Sequence, residues 1–130
     1  MANDKLNPND KSQNEKKYDL EERTATFGER IIKFAQNLPK NEITRPIINQ
    51  LIRAGTSVGA NYMEADVADT KKDFHYKISI CKKESKETCH WLRMMTVANP
   101  ECLEEAMEIW KEGREFVLIF SSINRKRSNI

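Results

Sequence analysis

Residues 54–65, AGTSVGANYMEA, hold two of the chain's four glycines, four positions apart. Apolar or small residues recur through and around this stretch at intervals of three or four, and the intervals do not break at the glycines. This phase predicts one continuous helix that begins near Asn41 or Thr44. The repeating positions are Ile43, Ile47, Leu51, Ala54, Val58, Asn61 and Ala65.

Two glycines inside a helix require a physical reason, because each costs about 1 kcal/mol relative to alanine. The segment from Ala54 to Gly59 has almost no side-chain bulk on one side, which predicts that a neighbouring helix or aromatic ring packs closely there. A kink at Gly59 is the alternative. A phosphate-binding loop is excluded, because no Gly-Lys-Ser/Thr follows and no strand pattern precedes.

Three other segments show helical periodicity. The first begins after Asp19, a predicted N-cap paired with Glu22, and ends before LPKN. The second follows Thr70, with Asp73 as its reciprocal acid. The third follows Asn99 as N-cap and Pro100 as first helical residue. The apolar stripes are Thr24, Phe27, Ile31, Phe34 and Leu38; Phe74, Ile78, Cys81, Ser85, Thr88, Leu92 and Met95; and Leu103, Ala106, Trp110, Gly113, Val117 and Phe120.

Four amphipathic segments with short connections predict an all-α fold, an antiparallel up-down-up-down four-helix bundle over residues 18–123. Residues 1–17 are polar, with one bulky aliphatic residue, and predict a disordered tail. Residues 124–130 predict a fraying, basic C-terminal tail.

Composition and charge limit the kinds of function that this chain can be expected to have. The formal net charge is +2 over 130 residues, which permits a nucleic-acid partner without requiring one. No apolar run is long enough for a membrane span, and the N-terminus has no apolar leader, so we expect a cytoplasmic protein without a membrane partner. The cysteines, Cys81, Cys89 and Cys102, have no metal-binding spacing and are expected to act as small apolar residues.

Residues from about 20 to 120 resemble the 23S rRNA-intervening-sequence protein family. The resemblance lies in a Leu-Pro turn, a Q-L-x-R-A-x-x-S-x-x-A-N-x-x-E-A run, a K-D-F and an E-x-x-E-T-x-x-W-L motif. The matching residues are Gln50, Leu51, Arg53, Ala54, Ser57, Ala60, Asn61, Glu64, Ala65, Lys72, Asp73, Phe74, Glu84, Glu87, Thr88, Trp91 and Leu92.

This resemblance implies a bundle that assembles into a homo-oligomer, typically a five-membered ring. The family's open reading frames were first noticed inside inserts in 23S ribosomal RNA genes. A related branch includes strongly basic accessory proteins that partner a reverse transcriptase, whereas the body of this chain is slightly acidic. The family motif implies no catalytic activity.

A polar cluster follows the motif: Arg53, Ser57, Asn61 and Glu64 on the second helix, with Glu84 and Glu87 on the third. In a hairpin that turns near residue 69, Arg53 and Glu87 fall at the same level, so an ion pair with Glu87 or Glu84 is expected. Two interpretations stay open, a salt-bridge network that sets helix register and a ligand or subunit contact site. A catalytic role is disfavoured, because the sequence offers no nucleophile or convergent histidine.

A second group of side chains is basic and predicts nucleic-acid contact. The alternative is an ordinary solvated face, with Glu84 and Glu87 weakening the field. The group comprises Lys71, Lys72, Lys82, Lys83, Lys86, Arg125, Lys126 and Arg127.

No metal or cofactor is predicted. Glu87 and His90 form one Glu-x-x-His unit, but a di-iron bundle needs two, and His75 lies 15 residues away along the same helix.

The sequence therefore predicts a non-enzymatic, oligomeric helical bundle that works by binding. Association with RNA or a ribonucleoprotein is the first hypothesis, and a protein scaffold or accessory subunit without nucleic acid is the alternative. The side chains expected to offer exposed apolar contacts are Tyr62, Tyr76, Trp110 and Phe116.

Overall fold

The computed structural model describes residues 19–128, with the side chains of residues 19–126. The predicted disordered tail, residues 1–17, lies outside this range. The described chain forms four α-helices and one short 3₁₀-helix. These are α1 (Leu20–Gln36), α2 (Thr44–Asp66), α3 (Lys71–Ala98), the 3₁₀-helix Pro100–Cys102 and α4 (Leu103–Ser128).

The helix starts show where the capping predictions succeed. Thr70 caps α3, because its hydroxyl accepts a hydrogen bond from the backbone N–H of Asp73 at 3.0 Å. Asn41 accepts bonds from the N–H groups of Ile43 and Thr44, both at 2.9 Å, so α2 begins at Thr44. Asp19 and Asn99 occupy the predicted N-cap positions, and Pro100 follows Asn99 in the first turn, but neither side chain makes the cap hydrogen bond.

Helix α2 is continuous through both glycines, which confirms the prediction from residues 54–65. A Cβ atom on Gly55 would lie 2.8 Å from Cγ1 of Ile31, and one on Gly59 would lie 3.2 Å from the carbonyl oxygen of Thr24. The bare side of α2 is therefore covered by α1. The glycines permit close packing, and the helix is not interrupted at Gly59.

In each pair of packed helices, the sequence numbers of the contacting residues increase along one helix and decrease along the other. Packed helices therefore run in opposite directions. The pairs are Thr24 with Gly59 and Ile31 with Gly55; Arg53 with Glu87 and Glu64 with Lys77; His75 with Asn124 and Cys89 with Trp110; and Arg23 with Glu112 and Arg30 with Glu108.

Most of the residues predicted to form the apolar stripes lie in the core, but a few do not. Ile43 and Leu103 were expected inside but are 65% and 52% exposed, because they lie at the start of α2 and α4, at the ends of the bundle. Ile109 and Phe116 are fully buried instead. Phe116, predicted as an exposed contact residue, packs edge-to-face against Phe27 with ring centroids 5.2 Å apart.

Helix α4 continues to Ser128, beyond the boundary at residue 123 expected from the polar C-terminal sequence. Arg125 and Lys126 are therefore exposed helical residues, while the side chain of Arg127 lies outside the described residues. None of the described helices combines the length and apolarity that crossing a bilayer requires.

Candidate functional site

Arg53 is the centre of a polar network between α2 and α3. Its Nη1 atom donates to Oε1 of Glu84 at 3.2 Å, and its Nη2 atom donates to Oε2 of Glu87. Its Nε atom donates to Gln50 at 3.1 Å. One guanidinium therefore joins two carboxylates on successive turns of α3, which ties the two helices together in one register.

The two carboxylates differ in environment. Glu84 is only 8% exposed, so its pairing with Arg53 satisfies a charge that is largely removed from water. Glu87 is more exposed and also accepts a hydrogen bond from Nε1 of Trp91 at 3.0 Å. The bond from Trp91, followed by the bond and charge of Arg53, lowers the pKa of Glu87.

The rest of the predicted polar cluster does not join this network. Ser57 donates to the carbonyl oxygen of Arg53, and Asn61 donates to that of Ser57, so both satisfy their own helix. Glu64 pairs instead with Lys77. It lies 11 residues after Arg53, about 16 Å along α2. The predicted cluster thus divides into the Arg53 network and a separate Glu64–Lys77 pair, and Ser57 and Asn61 belong to neither ion pair.

The exposed side of α3 carries a concentrated positive charge. Because α-helical residues turn by about 100° each, six of the cations of α3 fall within about a third of its circumference. Five of these are the predicted lysines, and Arg93 extends the row by two turns. We call this set the basic face of α3: Lys71, Lys72, Lys82, Lys83, Lys86 and Arg93.

Two of the three acids of α3 face α2, but Lys83 is among the charges that lower the pKa of Glu87, so the expected weakening of the field stays a prediction. Glu84 and Glu87 both bind Arg53, on the side of α3 that contacts α2. Asp73, in the first turn, is the one acid among the fully exposed residues of α3. The helix thus carries seven cations against three acids, and the single charge of Arg53 offsets one of the two carboxylates that it binds.

The C-terminal end of α4 lies beside the start of this face. Nδ1 of His75 lies 2.8 Å from Oδ1 of Asn124, and the Asn124 amide donates to the His75 carbonyl oxygen at 3.3 Å. Arg125 and Lys126 follow directly and are exposed. The structure thus places two predicted cations of α4 near the N-terminal lysines of α3.

The other side of the bundle is slightly acidic. Five glutamates and two basic residues lie between Leu103 and Glu115 of α4. Arg23 binds Glu112 at 2.9 Å and Glu115 at 2.7 Å. Arg30 also binds Glu108 at 2.8 Å, so with Lys111 and Arg114 four cations face the five glutamates, and this side is only slightly negative.

Three exposed apolar side chains lie along one side of α4. Leu103, Met107 and Leu118 are 52%, 42% and 64% exposed. Between them, Trp110 is half-buried and lines a groove of about 310 Å³ between α3 and α4. Of the predicted contact residues, Tyr76 is 60% exposed and Tyr62 is half-buried against the ring of Phe120.

The thiols and histidines do not form a reactive or metal-binding site. Burial raises the pKa of the Cys81 thiol to about 12 and that of Cys89 to about 11, which suppresses the nucleophilic thiolate. Within the part of the chain that is described, no three potential metal-ligating side chains come together.

Sequence comparison identifies the group of proteins to which this bundle is related. Residues 16–100 match the family model described as 23S rRNA-intervening sequence protein. The chain belongs to this family. The matched region contains α1, α2 and α3, with the whole Arg53 network and the basic face of α3.

A solved structure supports the same family. It is a crystal structure from Bacteroides thetaiotaomicron, described as a protein with unknown function from the S23 ribosomal protein family. It is 31% identical and has a TM-score of 0.71, covering 80% of this chain and 96% of its own. A search of curated proteins found no significant match.

Several residues of the site were not predicted from the sequence. Trp91 lies four residues after Glu87, and Gln50 lies three residues before Arg53, which are the spacings that bring side chains together on a helix. Both spacings can be read from the sequence, so these two contacts could have been predicted. The bonds between His75 and Asn124 span 49 positions, and no local spacing indicates them.

Proposed function

We propose that this protein is a non-enzymatic RNA-binding protein whose basic face on α3 contacts phosphate groups. The observation that carries the proposal is the segregation of charge on α3. The helix holds seven lysines and arginines and three acids, and two of those acids are engaged by Arg53 on the α2 side. Lysine ammonium groups at the surface bind phosphate as point charges.

Family membership makes RNA the first partner to test, since the matching family model is described as 23S rRNA-intervening sequence protein. The proposal assigns the Arg53 network a structural role that fixes the register of α3 against α2. The basic face is then presented by a helix held in one orientation. No catalytic step is proposed.

The test removes two neighbouring lysines. We expect Lys83→Ala combined with Lys86→Ala to weaken RNA binding about tenfold and to reduce the slope of log K against log salt by about one unit per lysine. The measurement is fluorescence anisotropy with labelled RNA across a salt series. Lys111→Ala, an exposed lysine of α4, is the matched control and should bind like the wild type.

Two results would contradict the RNA proposal. One is wild-type protein that does not bind RNA at low salt, and the other is equal binding by the double variant. Circular dichroism of both variants checks that each remains helical.

A second candidate function is a protein scaffold that assembles with itself, and the apolar surface of α4 favours it. Leu103, Met107 and Leu118 form an exposed stripe beside the groove at Trp110, on the slightly acidic side of the bundle. Apolar patches rimmed by charge commonly mark protein contacts. The family resemblance implies a homo-oligomer, typically a ring of five, and we propose this assembly for the chain, in the cytoplasm as its composition predicts.

Light scattering at micromolar concentration tests the assembly. We expect the wild type to be oligomeric and Met107→Glu combined with Leu118→Glu to lower its mass, because burying two carboxylates in an apolar contact is costly. Tyr76→Glu is a matched exposed substitution on α3 and should leave the mass unchanged. A monomeric wild type would rule out the scaffold.

A further inference from the structure

We infer that the basic face of α3 binds the backbone of double-stranded RNA and does not read its sequence. This inference rests on the RNA-binding function proposed above and specifies the form of RNA. Three features of α3 support it: the kinds of polar side chain on the face, the scarcity of aromatic side chains, and the fixed, outward-facing geometry of the charges.

The polar side chains of α3 suit phosphates rather than base edges. The helix contains no asparagine or glutamine, the residues that pair with adenine through two hydrogen bonds. Five of the six cations on the basic face are lysines. Contacts from lysine to phosphate position a nucleic acid without carrying sequence information.

Aromatic side chains on this side of the bundle are too few to hold a single strand. Proteins that bind single-stranded RNA stack successive bases on aromatic rings. Tyr76 is 60% exposed, whereas Phe74 and Trp91 are half-buried and Trp91 is bound to Glu87. His90 is exposed but lies 14 residues from Tyr76, about 21 Å along the helix, so the two rings cannot stack neighbouring bases.

The geometry of the face favours a rigid partner. Ile78, Cys81 and Leu92 anchor α3 in the core with exposures of 0–1%, so its outer residues form a fixed, convex row. From Lys71 to Arg93 this row extends about 33 Å. Single-strand binders instead track the backbone in a groove. A duplex of RNA presents fixed phosphate rows on either side of a wide, shallow minor groove, which proteins recognise mainly by shape.

The experiment compares three probes with full-length protein at one salt concentration. They are an RNA duplex of about 20 base pairs, somewhat longer than the span of a typical double-stranded-RNA-binding domain, one of its strands chosen to lack self-pairing, and a DNA duplex of the same sequence. We expect the RNA duplex to bind about tenfold more tightly than the single strand, because its phosphate charge density is higher and its shape is fixed. A second RNA duplex of unrelated sequence should bind equally, and Tyr76→Ala should not change duplex binding.

Each other outcome overturns a definite part of the inference. Equal or tighter binding of the single strand overturns the duplex assignment and leaves the proposed RNA-binding function standing. Equal binding of the DNA duplex overturns the assignment to RNA geometry. A strong difference between the two RNA duplexes overturns sequence independence. If no RNA probe binds, the proposed function itself fails.

Discussion

Replacing Gly55 with leucine is expected to destabilise the protein by about 1–3 kcal/mol, the usual cost of overpacking a filled core. The Cβ atom alone would lie 2.8 Å from Cγ1, 3.0 Å from Cγ2 and 3.1 Å from Cβ of Ile31. Ile31 is fully buried and β-branched, so its side chain has little freedom to move aside. The expected fall in melting temperature is about 4–12 °C for a chain of this size.

The same helix pair offers a matched control. A Cβ atom on Gly28 would meet Cα of Thr56 at 3.4 Å, an ordinary contact distance. Gly28→Ala should therefore leave the melting temperature unchanged or raise it, since alanine favours a helix over glycine by about 1 kcal/mol. Thermal unfolding followed by circular dichroism measures both variants. If Gly55→Leu has the same melting temperature as the wild type, α1 does not pack closely on α2 at this position.

Replacing Arg53 with methionine is expected to cost about 1–3 kcal/mol of unfolding free energy. The penalty arises at Glu84, which stays largely buried after its cation is removed. Urea unfolding at neutral pH measures the loss. Arg45→Met, which removes an exposed arginine from the first turn of the same helix, is the matched control and should have little effect.

A double variant separates loss of an ion pair from a general packing defect. Glu84→Leu added to Arg53→Met removes the buried carboxylate together with its cation and should recover much of the lost stability. If the double variant is as unstable as the single one, an unpaired Glu84 is not the cause.

The effect of Arg53→Met should also depend on pH. The pKa of Glu87 is lowered in the folded protein, first by the bond from Trp91 and then by Arg53. A group with a lowered folded pKa stabilises the protein above its unfolded value, about 4.3 for glutamate, and this stabilisation is lost as the pH falls through the folded value. The stability difference between wild type and variant should therefore shrink below about pH 5.

The fold followed from local patterns along the chain. The stripe from Phe74 to Met95 keeps a strict three-four spacing, and α3 buries all of it except Phe74, which is half-buried. The unbroken phase across Gly55 and Gly59 correctly predicted one continuous α2. The errors fall at helix ends, where Ile43 and Leu103 keep the phase but have no facing layer to cover them.

The candidate site was only partly predictable. Equal distance from the turn near residue 69 placed Arg53 opposite Glu87, and the structure confirms this pair. The same reasoning could not separate Glu64 from the cluster, because its partner Lys77 emerges only from the packing of α2 on α3. Phe116 was placed outside because helical phase alone does not reveal how far core packing extends around α4.

The sequence by itself determined four helices, the continuity of α2 and the family, because helical periodicity and motif spacing are properties of neighbouring residues. Only the tertiary structure decided that Glu84 and Glu87 turn towards Arg53, on the side of α3 that contacts α2. It also decided that Asn124, near the end of α4, meets His75, near the start of α3. The reason is that these ion pairs join residues 31 to 89 positions apart, so the packing of the helices decides which charges meet and which stay on the surface.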